Sequence, residues 1–150
     1  METKDVNRLF IDTNILIYAT NESSPWRHSA ANALMELRRK GIELIVSPQI
    51  IREYLCVVTR SASCSKNILF SQILENLNRI QKEFVLVEEN RHVVDCLVDI
   101  VRNVSVAGKQ IHDANIVATM ITHGVSHLLT RNTADFIRFS QYIHIAPLED

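Results

Sequence analysis

At 150 residues the chain has room for one domain, residues 1–150, with one core, and excludes a second catalytic module. Apolar residues make up 47% and charged residues 22%, which excludes a disordered chain. A net charge of −1 excludes a global field that draws in nucleic acid, so any such contact must come from a local basic patch.

Cys56, Cys64 and Cys96 are odd in number and lack C-x-x-C spacing. Neither a disulfide framework nor a cysteine zinc site is indicated, and three buried thiols are expected. No apolar run approaches the ~18 residues of a membrane span, and the first ten residues are polar and mixed in charge. The expectation is a cytoplasmic protein with no membrane contact.

In chain order, Leu9-Phe10-Ile11 reads as a buried strand ending at Asp12, and the dense apolar run Ile15-Leu16-Ile17-Tyr18 as the helix after it. Pro25 is expected to open a second helix, closed by Arg38-Arg39-Lys40 and Gly41. Ile42 to Val46 makes the second strand. Ser47-Pro48 then reads as an N-cap with proline at the first helical position, in a helix reaching about Thr59. Ser65 to Gln81 has helical spacing, Phe84 to Val87 is a strand candidate, and Asn90 caps a helix through Val101. After a turn at Gly108 a helix starts near Asp113 and ends at Gly124. Leu128-Leu129-Thr130 is the fourth strand, Ala134 to Phe139 a short helix, and Tyr142 to Ile145 the last strand. Strands alternating with helices predict an α/β fold with a mainly parallel sheet covered on both faces.

Ligands of such sheets collect where strands hand over to helices at their carboxyl ends. Asp12 stands after the first strand, and Asn132 and Asp135 after the fourth. Taken singly, Asp12 and Asp113 are equally readable as helix caps. Glu53 falls on the flank of the stripe formed by Ile50, Tyr54 and Val58, beside Ile50 and Val57, where a glutamate is ordinarily solvated. Thr13, Asn14 and Thr130 could orient the acids or simply serve turns and caps. Arg52, Lys109 and Arg131 each lie within four residues of one of the acids and could hold phosphates, against a default of solvated surface cations. His112 adjoins Asp113 and is read as structural, and Tyr54 as core.

Phe10-Ile11-Asp12-Thr13-Asn14, Glu53 after Ser47-Pro48, Ile111-His112-Asp113-Ala114 and Leu129-Thr130-Arg131-Asn132-Thr133-Ala134-Asp135-Phe136 occur in the order and spacing of PIN-domain nucleases. From about Leu9 to Ile145 the chain resembles the VapC-type toxins of toxin–antitoxin pairs. The resemblance implies a PIN-like three-layer fold with about five short strands and an acidic site that binds Mg2+ or Mn2+ and cuts RNA. It carries over Asp12, Glu53 and Asp113 as the acids, with Asp12, Asp113 and a fourth residue as metal ligands. Either Asp135 is that fourth carboxylate, the preferred assignment, or Asn132 supplies a neutral oxygen. It also implies a cognate antitoxin whose helix enters a groove and sets a basic side chain among the acids. A homodimer is expected through the apolar helices between Ser47 and Gln81.

Carboxylate oxygens suit hard divalent ions, whose charge relieves the repulsion among clustered acids. Two further readings compete. A receiver- or phosphatase-like phosphoryl-transfer domain also places an aspartate after its first strand, but wants a second acid beside it, where this chain has Thr13 and Asn14. A PIN-like domain that binds RNA or protein without cutting need not keep acids at all these places.

Overall fold

A computed structural model describes residues 6–62 and 67–150. Five strands form one sheet: β1 (Arg8–Ile11), β2 (Glu43–Val46), β3 (Val85–Leu86), β4 (His127–Thr130) and β5 (His144–Pro147), in the order β3-β2-β1-β4-β5. Every neighbouring pair is parallel, with Leu9 opposite Leu44, Phe10 opposite Leu128 and Leu128 opposite Ile145. The α/β expectation therefore holds. Leu9, Phe10 and Ile11 are all buried, as a central strand covered on both faces requires. The edge strands are poorer in core residues, and Pro147 sits on one of them, where a missing N–H breaks no ladder.

Seven helices connect the strands: α1 (Thr13–Thr20), α2 (Arg27–Arg39), α3 (Pro48–Ala62), α4 (Asn67–Glu83), α5 (Arg91–Asn103), α6 (Gln110–Thr122) and α7 (Thr133–Phe136). Right-handed crossovers from β1 out to β3 lay α1 to α4 on one face, and the return past β1 to β4 and β5 lays α5 to α7 on the other. The packing agrees. α1 touches α2 and α3, α3 touches α4, and α6 lies between α5 and α7. Ala114 and Ile116 to Met120 are buried around nearly the whole of α6, which is wedged between the sheet and α5. Both predicted helix-ending glycines do that work. Gly41 (φ +78°) donates to the Arg38 carbonyl while Ile42 donates to Leu37, and Gly124 (φ +68°) and Val125 repeat the pattern on α6.

Several boundaries move. α2 begins at Arg27 and not at Pro25, which lies in the preceding turn. The third strand contracts to Val85–Leu86, both exposed, while Phe84 and Val87 turn inward to the core. β5 runs from His144 to Pro147, two residues later than the pattern of Tyr142 to Ile145. The thiols are not all buried: Cys56 is exposed and Cys96 half-buried, and Cys64 lies outside the described residues. Cys56 follows Leu55 on the side of α3 that turns away from buried Tyr54. No helix among the described residues is long and apolar enough to cross a membrane.

Candidate active site

The strand order reverses direction at β1, so the carboxyl ends of β1 and β4 flank the switch point where ligands of open parallel sheets bind. Asp12 follows β1 directly, and Thr130 closes β4 beside it. Asp12 is 7% exposed. Its Oδ1 accepts from the Thr13 N–H at 2.8 Å, which makes it the N-cap of α1, while its Oδ2 accepts from Thr130 Oγ1 at 2.7 Å and Asn14 Nδ2 at 3.3 Å. Capping and site chemistry thus coincide in one side chain. The Thr130 hydroxyl donates to Asp12 and accepts from Asn14 Nδ2 (3.3 Å) and the Asn132 N–H (3.0 Å), which uses its full capacity. Thr13, Asn14 and Thr130 thus hydrogen-bond the carboxylates of Asp12 and Glu53.

Glu53 is half-buried, and both its oxygens are engaged. Oε2 accepts from Thr13 Oγ1 at 2.7 Å and Oε1 from Gln49 Nε2 at 2.8 Å, so α3 is tied to the start of α1 within one residue of Asp12. Asp113 lies in the first turn of α6 but caps nothing: Lys109 holds the N-cap position, and the Asp113 carboxylate accepts no hydrogen bond among the described residues. Asp135 lies in the first turn of α7, exposed, with its carboxylate likewise without an internal donor.

The charges of the acids act on one another. Burial, reinforced by the charges of Asp135, Asp12 and Glu53, pushes Asp113 up from 3.8 to about 6, with Arg138 opposing. Asp12 is also pushed up to about 6, by burial first, against the bonds from Thr130 and Thr13 and with added repulsion from Glu53 and Asp135. Asp135 is the foremost charge acting on Asp113. Asn132 caps α7 without a side-chain bond and is exposed.

The donor set suits a divalent cation. Among the described residues no three Asp, Glu, His or Cys side chains stand close enough to hold a metal ion together. Mg2+ does not require three, since it takes one or two carboxylates directly and keeps water for the rest of its octahedron. A carboxylate pair raised by burial and mutual repulsion gains most from such a charge.

Of the basic candidates, Arg52 pairs with Glu89 at 3.8 Å, Lys109 is exposed at the start of α6, and Arg131 pairs with Asp150 at 2.9 Å. His112 contributes its backbone carbonyl, not its ring, to the site. Tyr54 is fully buried with its hydroxyl 3.0 Å from Thr20 Oγ1, as a core residue. An open groove of about 620 Å3 between α1, α2 and α4, with Leu16, Leu34, Ile80 and Phe84 among its lining, includes none of the four acids.

Gln49 is the residue that sequence reasoning missed. It is 4% exposed. Its Nε2 donates to Glu53 Oε1 and to the His112 carbonyl (2.9 Å), its Oε1 accepts from Asn115 Nδ2 (2.7 Å), and its N–H donates to Glu89 Oε1 (2.6 Å). It thereby fastens α3 to α6 between Glu53 and Asp113. The only sequence signal was its place one turn before Glu53. Gln49→Leu keeps the volume and strips three hydrogen bonds, so a loss of about 1–3 kcal/mol in urea unfolding is expected with unchanged m-value. Unaltered stability would show that the link is not formed.

The sequence profile of the PIN domain family matches residues 9–141. Ribonuclease VapC24 of Mycobacterium tuberculosis is 29% identical over 137 residues, 87% of this chain and 90% of that protein. The fold resembles that of VapBC2 from Rickettsia felis, solved bound to a DNA fragment from its promoter (TM-score 0.67, 18% identity, 95% of this chain and 99% of that one). It also resembles FitAcB from Neisseria gonorrhoeae (TM-score 0.68, 19% identity, 91% and 95%) and M. tuberculosis VapC20, a Sarcin-Ricin loop cleaving toxin (TM-score 0.58, 13% identity, 80% and 86%). With its family profile matched over most of its length, on a five-stranded parallel sheet, the chain belongs to the PIN-domain family.

Proposed function

We infer that this chain is a divalent-metal-dependent endoribonuclease and the toxin half of a toxin–antitoxin pair. The observation that carries the reading is the buried Asp12 carboxylate at the switch point, held by Thr130 and Asn14, with Glu53 tied to Thr13 beside it. The likeness to Ribonuclease VapC24 supplies the substrate class, and the toxin–antitoxin complexes among the structural neighbours supply the partner.

Asp12, Asp113 and Asp135 would hold Mg2+ or Mn2+. Bound there, one or two such ions lower the pKa of an attacking water and offset the charge that gathers on the phosphoryl oxygens. The chain's own residues set the geometry. Thr130 and Asn14 lock the Asp12 carboxylate, Thr13 and Gln49 lock Glu53, and each Glu53 oxygen keeps a lone pair for a water or a sugar hydroxyl. No side-chain nucleophile is needed. An antitoxin would silence the site by placing a basic group among the acids, and its apolar helix suits the groove beside Leu16, Leu34 and Phe84. Phe70 and Leu74, exposed on α4, suit the expected homodimer. The working compartment is the cytoplasm.

Purified protein incubated with mixed transfer and messenger RNA is expected to cut in Mg2+ and stop in a chelator. In a Mg2+ titration of that cleavage Asp135→Asn should shift the midpoint upward more than Asn132→Ala does, because of these two residues Asp135 alone carries a charge that acts on Asp113. The reverse order moves the fourth ligand to Asn132, and an absence of Mg2+-dependent cleavage overturns the enzyme reading.

A further inference from the structure

Directly after Thr130 stands a stack that neither capping nor metal binding uses. The Arg131 guanidinium carbon lies 4.2 Å from the centre of the Trp26 ring, whose other neighbour is Tyr18 with ring centres 4.9 Å apart. Such stacking fixes the plane of a guanidinium, which as a free surface group would sample many rotamers. The backbone of Arg131 is tied to the site as well. Its N–H donates to Asn14 Oδ1 at 3.4 Å, and Asn14 Nδ2 donates to Asp12 Oδ2. The cation is therefore held from both ends, by Trp26 at its head and by the Asp12 network at its root.

Arg131 Nη1 donates to Asp150 Oδ1 at 2.9 Å, with the aspartate side chain 82% exposed. Nε and Nη2 have no acceptor among the described residues. A planar fork with donors to spare and only an exposed carboxylate partner is ready for a tetrahedral oxyanion, which it can bind through two parallel bonds. An exposed ion pair contributes little, so exchanging Asp150 for such an anion meets little resistance.

Resting on the ribonuclease reading above, we propose that Arg131, clamped by Trp26, binds a backbone phosphate of the RNA strand next to the one that is cut, and that Asp150 occupies that phosphate's place until RNA arrives. Arg131 sets the strand's register against the acids, and Trp26 is its positioning residue. Phosphate contacts of this kind position a strand without reading its bases.

The test measures binding of a short labelled single-stranded RNA of mixed sequence in an Asp113→Asn background, across a range of salt, with cleavage by the wild type followed in parallel. Adding Arg131→Gln is expected to weaken binding about tenfold and to flatten the salt dependence by about 0.7 in log–log slope, the value for one lost phosphate contact on a single strand. Arg131→Lys should keep the slope but lose affinity, since an ammonium neither stacks nor forks. Trp26→Leu should weaken binding and Trp26→Phe restore it, a rescue that loss of general packing does not produce. Asp150→Asn, a surface change that leaves the fold alone, should bind more tightly. RNA binding with unchanged affinity and slope in Arg131→Gln, or weaker binding in Asp150→Asn, overturns the proposal while the nuclease reading stands. A wild type that neither binds nor cuts the RNA overturns both.

Discussion

An Asp113→Asn variant is expected to cut RNA more slowly by on the order of 10²–10³-fold, the scale of losing one group that stabilises transition-state charge, while remaining folded. The substitution keeps the size of the side chain. It breaks no hydrogen bond, because the Asp113 carboxylate accepts none among the described residues, and it removes a charge that burial and three neighbouring acids all oppose. Asp12→Asn should slow cleavage as severely, but less cleanly. Its Oδ2 accepts from both Thr130 and Asn14, and an amide nitrogen in that place leaves Asn14 facing a donor. Single-turnover cleavage paired with a thermal melt separates the two cases. Full activity in a folded Asp113→Asn protein would remove Asp113 from the site.

Without metal, stability is expected to fall as pH rises from about 4 to above 6, and Mg2+ should restore part of it. Asp12 and Asp113 have folded-state values of about 6 against an ordinary 3.8. The folded state therefore binds these protons more tightly than the unfolded state, so the stabilisation is fully present below pH 4 and is lost as pH passes through 6. For the deeply buried Asp12 a shift of that size corresponds to about 3 kcal/mol, or roughly 6–12 °C in melting temperature for a chain of this length. The two acids titrate as a coupled set, so their effects do not simply add. His127 acts in the opposite sense, since burial and then His144 lower its value from 6.5, so the stability it contributes is lost as pH falls below 6.5. It is common to wild type and variant, so their difference isolates the acid. Melts in chelator should show a shallower decline for Asp113→Asn, and Mg2+ should raise the wild type more than the variant. Parallel pH profiles, or no response to Mg2+, would refute the coupling.

The same ionisations link metal binding to pH. A cation competes with the shared protons, so Mg2+ affinity rises through the same interval.

Much of the fold was legible because it rests on local rules. Apolar runs at Leu9 to Ile11 and Leu128 to Thr130 marked strands, and Gly41 and Gly124 marked helix ends, since only the chain's own periodicity and backbone freedom enter there. Asp12, Glu53, Asp113 and Asp135 could be singled out by their places along the chain and by resemblance to a known family. Where propensity competes with packing the reading slipped: the pattern at Phe84 to Val87 reads as four strand residues, but the sheet edge pairs only Val85 and Leu86, and the flanking two side chains go to the core.

What the sequence determined by itself was which residues are acidic, which are apolar and at what spacing, hence the alternating elements and the parallel sheet. Only the tertiary structure decided that residues separated by as many as 118 positions, such as Asp12 and Thr130, share a hydrogen bond, that Gln49 bridges Glu53 to α6, and that Arg131 stacks on Trp26. The reason is physical. Periodicity records how a side chain lies relative to its own element, whereas a shift in acidity, a bridging amide or a cation over a ring depends on which elements pack together, and that is set by sheet order and crossover handedness.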